Sequence, residues 1–283
     1  MARPTPAGYR AIAVRAAAAA QVFVDDPARP LLSDGDAHHL GRVLRLRADE
    51  EVIVSDGAGH WARTRWRGGD SGGLVSLRDG AGPGGDGSVQ FEEAPVPALT
   101  VAFAPTKGEK PEWVVQKLTE LGIDRVVPLV SERSVVRWSG ARGRASVERL
   151  RRVAREACAQ CRRVWLPEIG EVATFADLAG LGAPGEVGLA QLSGDPLRTT
   201  QLVVAVGPEG GWSVGELTAG LPTVGFGLSV LRAETAAVTA GALMVSLRTG
   251  TVAPMAPQSP GSAVSPASVV SPVGAVGAVG ESS

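Results

Sequence analysis

The chain has 283 residues, 44% of them apolar, enough to bury two modest cores or one core with attachments. Its formal net charge of −1 excludes a protein that is basic as a whole, and no run approaches ~20 apolar residues without a charge or a turn, which excludes a membrane-spanning helix. Charge is nevertheless unevenly placed. All but three of the 28 basic residues are arginine, and the three lysines, Lys107, Lys110 and Lys117, fall within one short segment.

Residues 1–20 hold Arg3, Arg10 and Arg15, no acid, and the run Ala16–Ala20. They lack a cleavage pattern and read as a disordered extension rather than a secretory signal. From Val22 to about Pro95, short apolar runs (Val22–Val24, Glu51–Ser55, His60–Trp66, Leu74–Leu77) alternate with Gly-rich turns, a spacing that predicts a small barrel. One helix interrupts them, capped by Ser33 or Asp36, with Leu40, Val43 and Leu44 on one face. In the third run the period of two sets Trp61, Arg63, Arg65 and Arg67 on one face. Three guanidinium groups beside an indole suit either RNA contact or a solvated outer strand. Residues 79–88 read as a turn or linker, and Pro95-Val96-Pro97 as the joint between a domain over 21–95 and a second over 96–250.

Beyond the joint, Leu99–Phe103 is a buried-strand pattern. Pro105–Gly122 carries Trp113, Val114, Lys117, Leu118 and Leu121 at helical spacing with Gly122 as a stop, and Arg125–Val130 is the next strand. This alternation predicts a parallel sheet covered on both faces. Between Arg133 and Arg163 ten arginines stand against Glu148 and Glu156 alone, a strip that favours a polyanion. The helix over about Ser146–Cys161 gathers Val147, Leu150, Val153, Ala154 and Ala157 on one side, so most of its arginines point outward. Cys158 and Cys161 form a CxxC with no second pair and no histidine nearby in sequence. They read as two reduced thiols on a helix face, and no metal site is expected.

Val187–Ala190 reads as a strand before a loop with Asp195 and Pro196. Leu202–Val206 is a strand buried on both faces, and Gly207-Pro208-Glu209-Gly210-Gly211 then turns the chain into a helix through Leu221, with Ser213 and Glu216 forming a capping box. Thr223–Leu228 is extended and Glu234–Leu247 is a mostly buried helix. Arg232 and Glu234 are the only charges between Thr218 and Leu247. Such isolated charges form an ion pair at the end of a core strand or line a ligand pocket. Neither glycine turn fits a P-loop or Rossmann fingerprint, which disfavours a phosphate cradle. Both lie beyond the carboxyl ends of strands, where open α/β sheets hold ligands. Residues 251–283 are a low-complexity tail, read as disordered.

Gly207-Pro-Glu-Gly-Gly211 followed by Val230-Leu-Arg-Ala-Glu-Thr235 resembles the signature of the RsmE family of SPOUT methyltransferases, which methylate N3 of a uridine in 16S, small-subunit, ribosomal RNA. Further segments are similar to that family: His39-x-x-x-Val43-Leu44-Arg45, Lys107-Gly-Glu-Lys110 with Gln116, Lys117 and Glu120, Ser131-Glu-Arg-Ser134, and Glu156-Ala-Cys-Ala-Gln-Cys-Arg-Arg163 followed by Leu166-Pro-Glu-Ile169. The last departs from the family at Ala159, where an acid is usual, and at Arg162, where glycine is common. The likeness covers about Val22 to Leu247.

The resemblance implies an α/β fold: a SPOUT-type parallel sheet with a C-terminal trefoil knot, preceded by a small PUA-like β-barrel. It further implies a cytoplasmic homodimer with RNA across its interface, no membrane and no metal. Carried over by position, S-adenosyl-L-methionine would be held by Leu189, Gly207, Glu209, Gly210, Leu228, Val230, Leu231 and Arg232. The RNA would be held by His39, Arg42, Arg45, Lys107, Arg133, Gln160 and Arg163. Arg232 would stabilise charge developing on the uracil, and Glu234 would orient Arg232 or act as base. Two other readings share parts of this pattern: a SPOUT methyltransferase acting on another RNA such as tRNA, and a non-catalytic RNA-binding protein.

Overall fold

The computed structural model describes residues 6–68, 73–76 and 88–252, with side chains from Arg10 onward. Apart from their boundary residues, the expected linker over 79–88 and the tail over 251–283 lie outside the described residues.

The first half is α1 (Pro6–Ala17), β1 (Ala20–Phe23), α2 (Asp34–His38) running into a π-helical turn (His39–Val43), β2 (Glu51–Ser55), β3 (His60–Trp66), β4 (Leu74–Ser76) and β5 (Gln90–Phe91). These strands form one sheet: β1 lies parallel to β2, β2–β3–β4 are antiparallel, and β5 pairs with β3. Strand β2 is almost wholly buried because both of its faces are covered. Val52 and Val54 pack with Val22, Leu40 and Trp66, while Ile53 packs with Ala18, Trp61 and Val164. Ser33 is the N-cap of α2, its hydroxyl accepting from the Asp36 amide. Of the three residues expected on one apolar face only Leu40 is buried; the π-helical turn leaves Val43 and Leu44 exposed.

Two expectations are corrected here. Residues 10–20 are not a disordered extension. Arg15 is 3% exposed, donates to Glu92 at 2.7 Å and to the Arg162 carbonyl at 3.1 Å, and lies over the Trp61 ring at 5.1 Å. A buried guanidinium needs such partners, and they come from segments distant in sequence. The same contact covers Trp61, Arg63 is held by Glu51, and Arg65 donates to the Asp49 carbonyl. The expected indole is therefore covered and one of its three arginines is paired, while Arg65 and Arg67 remain exposed.

The second half is β6 (Thr100–Phe103), α3 (Lys110–Leu121), β7 (Arg125–Val130), α4 (Gly140–Cys161), β8 (Glu168–Ile169), β9 (Ala173–Thr174), a 3-10 segment (Phe175–Leu181), β10 (Val187–Pro196), β11 (Val203–Val206), α5 (Val214–Leu217), β12 (Thr223–Gly225) and α6 (Ala233–Thr249). The sheet runs β12-β10-β11-β6-β7-β8 with every pairing parallel, and β9 also pairs with β7. Alternate residues sort onto its two faces. Val101, Phe103, Val204 and Val206 meet α3, α4 and α6, whereas Ala102, Val203 and Ala205 meet Leu178, Leu189 and Trp212. That double coverage is why these strands are continuous apolar runs.

Three boundaries move. Helix α4 begins at Gly140, ahead of the apolar stripe. Helix α5 ends at Leu217, so its capping box closes a single turn. Strand β10 continues to Pro196, with a register shift against β12 between Ala190 and Asp195. At that shift the backbones nearly touch: a Cβ on Gly194 would lie 2.4 Å from the Val224 carbonyl carbon, closer than any real contact, so only glycine fits.

The two sheets belong to one compact unit and meet at the end of α4. Gln21 donates to the Arg163 carbonyl at 2.7 Å, Gly59 to the Val164 carbonyl at 3.1 Å, and Leu166 to the Gly57 carbonyl at 2.9 Å. Arg163 itself, expected to touch RNA, is turned inward. It donates to Asp124 at 3.0 Å and to the carbonyls of Thr119 and Ile123. The Asp124 carboxylate also takes Arg248 from α6 and the Leu99 amide, tying β6, α3, α4 and α6 at one point.

Cys158 is buried and Cys161 half-buried, both as free thiols. Burial pushes the Cys158 thiol up to about 12 and raises Cys161 as well. Among the described residues no group of three His, Cys, Asp or Glu is placed to hold a metal. Because alkylation requires the thiolate, iodoacetamide at about pH 8 is expected to modify neither cysteine in the native protein and both after unfolding. Rapid native addition of two adducts in the mass spectrum would contradict this packing.

Candidate active site

Three segments converge: Ala190–Leu192 midway along β10, the 207–212 turn beyond the carboxyl end of β11 and the 226–232 turn beyond that of β12. With Lys110, the first residue of α3, they enclose a cavity of about 600 Å³, within the range of small-molecule sites.

Packing fixes the first turn. Trp212 is 4% exposed, donates its indole N–H to the Ala190 carbonyl at 2.9 Å and meets Phe175 edge-on at 5.8 Å. Its ring lies so close to the backbone that a Cβ on Gly207 would come within 3.0 Å of it. The capping box predicted at Ser213 and Glu216 is present. The second oxygen of the buried Glu216 accepts from the Glu132 amide at 2.9 Å, which anchors the 131–134 loop. Arg133, carried by that loop, donates to the Gly210 carbonyl at 3.1 Å.

The second turn enters α6 through Arg232, the N-cap residue, which is exposed and lines the cavity. Glu234 follows in the first helical turn, and its partner is Lys110: the ammonium lies 2.9 Å from Glu234 and 3.7 Å from Glu209. Lys110 thus bridges the glycine turn and α6. Burial works to raise the Glu234 carboxyl, but the hydrogen bond from Lys110, the backbone amide and the charges of Lys110 and Arg232 outweigh it and hold it below the usual carboxylate range. Glu234 is therefore ionised at neutral pH and a weak proton acceptor.

Five of the eight residues expected around the cofactor line this cavity: Gly207, Glu209, Val230, Leu231 and Arg232. Leu189 is fully buried behind the wall, Gly210 faces Arg133, and Leu228 is fully exposed outside it. Alternation along β10 sends the Leu189 side chain into the opposite layer, directly before Ala190, which lines the cavity. Sequence reasoning missed Lys110, Gln191, Leu192, Trp212 and Phe226 as lining residues. Only Lys110 had a signal, the clustering of the lysines.

Of the expected RNA contacts, His39, Arg42 and Arg45 are exposed around the π-helical turn, and Lys107, Arg133 and Gln160 are exposed nearer the cavity-bearing half. The arginine strip is thinner than its sequence suggests. Arg149 pairs with Glu112, Arg151 with Glu148 and Glu171, Arg155 lies over Phe23, and Arg162 donates to the Ala18 and Ala19 carbonyls. Arg142, Arg144 and Arg152 remain exposed.

Residues 92–245 match the RNA methyltransferase domain family, and residues 32–65 match the RNA methyltransferase PUA domain family. The ribosomal RNA small subunit methyltransferase E of Synechocystis sp. is 31% identical over 226 residues, covering 74% of this chain and 70% of that protein. The chain belongs to the ribosomal RNA small subunit methyltransferase E family. The Mycobacterium tuberculosis methyltransferase E is also 31% identical, over 229 residues covering 73% of this chain and 82% of its own. The crystal structure of the Neisseria gonorrhoeae methyltransferase E, bound to S-adenosyl methionine, shares the fold at a TM-score of 0.63 and 24% identity, covering 81% of this chain and 97% of that one. In this methyltransferase E family chain the matched methyltransferase region contains every residue lining the cavity, and the PUA match contains His39, Arg42 and Arg45.

Proposed function

We propose that this methyltransferase transfers the methyl group of S-adenosylmethionine to N3 of a uridine in small-subunit ribosomal RNA. The observation that carries the proposal is the convergence of both glycine turns with Lys110 and Arg232 on one cavity, in a chain of this family. The cavity fits the cofactor. Trp212, Phe226, Val230 and Leu231 offer apolar walls, the close Gly207 backbone leaves no room for a side chain, and Glu209 brings a carboxylate. Gly207, Glu209, Val230, Leu231 and Arg232 would hold it, with Gly210 and Leu228 shaping the turns from outside.

When bound, S-adenosylmethionine supplies an already activated methyl group. The protein's part is to align the base, favour loss of the N3 proton and stabilise the negative charge that spreads onto the uracil oxygens. Arg232 is placed for the last task. Glu234, ionised and paired, serves to position Lys110 and the start of α6 rather than as the base. The Lys110–Glu234 contribution is complete above the ordinary Glu value of 4.5 and is lost only as pH falls through a folded value lower than that. Glu234→Gln is accordingly expected to lower kcat while leaving the shape of the pH–rate profile unchanged between about pH 6 and pH 9. Loss of a limb of that profile in the variant would reinstate Glu234 as the base.

The same reading takes residues 21–95 as a PUA-like barrel that docks RNA through His39, Arg42 and Arg45, and residues 96–250 as the SPOUT domain, with Lys107, Arg133 and Gln160 adding contacts. It takes the path through β10, β11 and β12 as a trefoil knot. The exposed Val214, Leu228 and Val230 suit a second copy of the chain, giving a homodimer in the cytoplasm. The deciding experiment incubates the purified protein and S-adenosylmethionine separately with small ribosomal subunits, free small-subunit RNA and tRNA, then digests each RNA for nucleoside mass spectrometry. 3-Methyluridine from the ribosomal substrates is expected. Its appearance in tRNA alone, or no methylation with no cofactor binding by calorimetry, would overturn the proposal.

A further inference from the structure

A second cavity, of about 410 Å³, is reached along the same segment that borders the first. Lys107 enters it from the turn between β6 and α3, Trp138 from the loop before α4, and Arg142, Ser146 and Arg149 from the opening turns of α4. Trp138 is 7% exposed and packs under α4, where Gly143 allows a close approach: a Cβ there would lie 3.3 Å from the Trp138 carbonyl carbon.

The charges in this cavity do not cancel. Glu112 takes the Arg149 guanidinium at 2.6 Å and offsets it. Lys107 and Arg142 are exposed and have no carboxylate partner among the described residues. Two uncompensated cations and a buried serine share a concave space beside the opening turns of α4. Those donors match a phosphodiester, whose oxygens accept charge-assisted hydrogen bonds and carry one negative charge. They do not match an apolar or cationic ligand. Lys107 lies three residues before Lys110, which lines the first cavity, so one short segment borders both.

We propose that this second cavity binds a backbone phosphate of the RNA substrate, at a nucleotide flanking the base that enters the first cavity. The inference rests on the methyl-transfer reading of the first cavity and goes beyond it by assigning a phosphate subsite. Lys107 and Arg142 are its ligands, while Arg149 is a positioning residue fixed by Glu112.

The test measures anisotropy of a labelled single-stranded fragment of small-subunit RNA against salt, for the wild type, the Lys107→Ala/Arg142→Ala double variant and the charge-preserving Lys107→Arg/Arg142→Lys variant. Calorimetry with S-adenosylmethionine and thermal melting accompany each protein. The alanine pair is expected to weaken RNA binding about tenfold or more and to flatten the log–log salt slope by about 0.7, the share of one phosphate on a single strand. Cofactor affinity and melting temperature should hold, and the charge-preserving pair should retain most of the RNA affinity. An unchanged affinity and slope in a folded alanine variant overturns the subsite while leaving the methyl-transfer reading intact. Equal loss in the charge-preserving variant overturns it as well. Wild-type protein that binds neither cofactor nor RNA defeats the underlying reading instead. Inorganic phosphate titrated into each protein separates the sources: phosphate binding lost in the alanine pair, with RNA affinity unchanged, assigns the cavity to a free anion and overturns the RNA assignment.

Discussion

Arg232→Ala is expected to lower single-turnover methylation roughly 10²–10³-fold at saturating cofactor and RNA, the range found when one preorganised donor to a developing negative charge is removed. The reason is placement. Arg232 is the N-cap residue of α6, exposed, lining the cavity, and beside Glu234, whose carboxylate is already engaged by Lys110. Its guanidinium therefore remains available to a substrate. Arg232→Lys should recover only part of the rate, because an ammonium keeps the charge but loses the planar fork. Measuring at saturation separates the chemical step from weakened binding. A rate within about threefold of wild type for Arg232→Ala would remove this residue from the chemistry and leave it a wall of the cavity.

Asp124→Ala is expected to destabilise the fold by about 3 kcal/mol or more, the usual consequence of deleting one member of a buried ion pair and leaving its partner uncompensated. Here two arginines are stranded at once. Arg163 and Arg248 expose only 13% and 8% of their side chains, and Asp124 16%, so water replaces the lost carboxylate poorly. The Leu99 amide, which donates to Asp124 at 2.9 Å, loses its acceptor as well. For a chain of this size the change corresponds to a fall in Tm of about 6–12 °C. Urea unfolding of Asp124→Ala and Asp124→Asn checks it, the amide being expected to lie between alanine and wild type. A loss below about 1 kcal/mol for Asp124→Ala would mean that the arginines find other partners and that the junction is not held as described.

The Asp124 junction also shows what a linear reading misses. Arg163 lies in a segment dense with arginine and in a stretch similar to the family's own pattern, and both features suggest an outward, RNA-facing residue. Its direction is set by the carboxylate of Asp124 and two carbonyls at the end of α3, none of which is near it in sequence. Arg15 is misread for the same reason, because its partners Glu92 and the Arg162 carbonyl come from other elements. Leu189 matches the family by position, whereas the alternation of β10 turns its side chain into the core.

Much else was determined by local sequence. Apolar β-branched runs gave the parallel strands, and Gly122 stopped α3. Ser33 and Ser213 capped their helices as their side-chain chemistry requires, and the turns at 207–211 and 225–232 stood out as the ligand-bearing breaks. These depend on interactions within a few residues, where composition and spacing speak directly. Tertiary structure alone decided which arginines are spent on the protein's own carboxylates and carbonyls, that Lys110 bridges Glu209 and Glu234, and which side of each turn faces the cavity. Those outcomes depend on desolvation and on partners brought together from distant parts of the chain, and neither is encoded in any one segment.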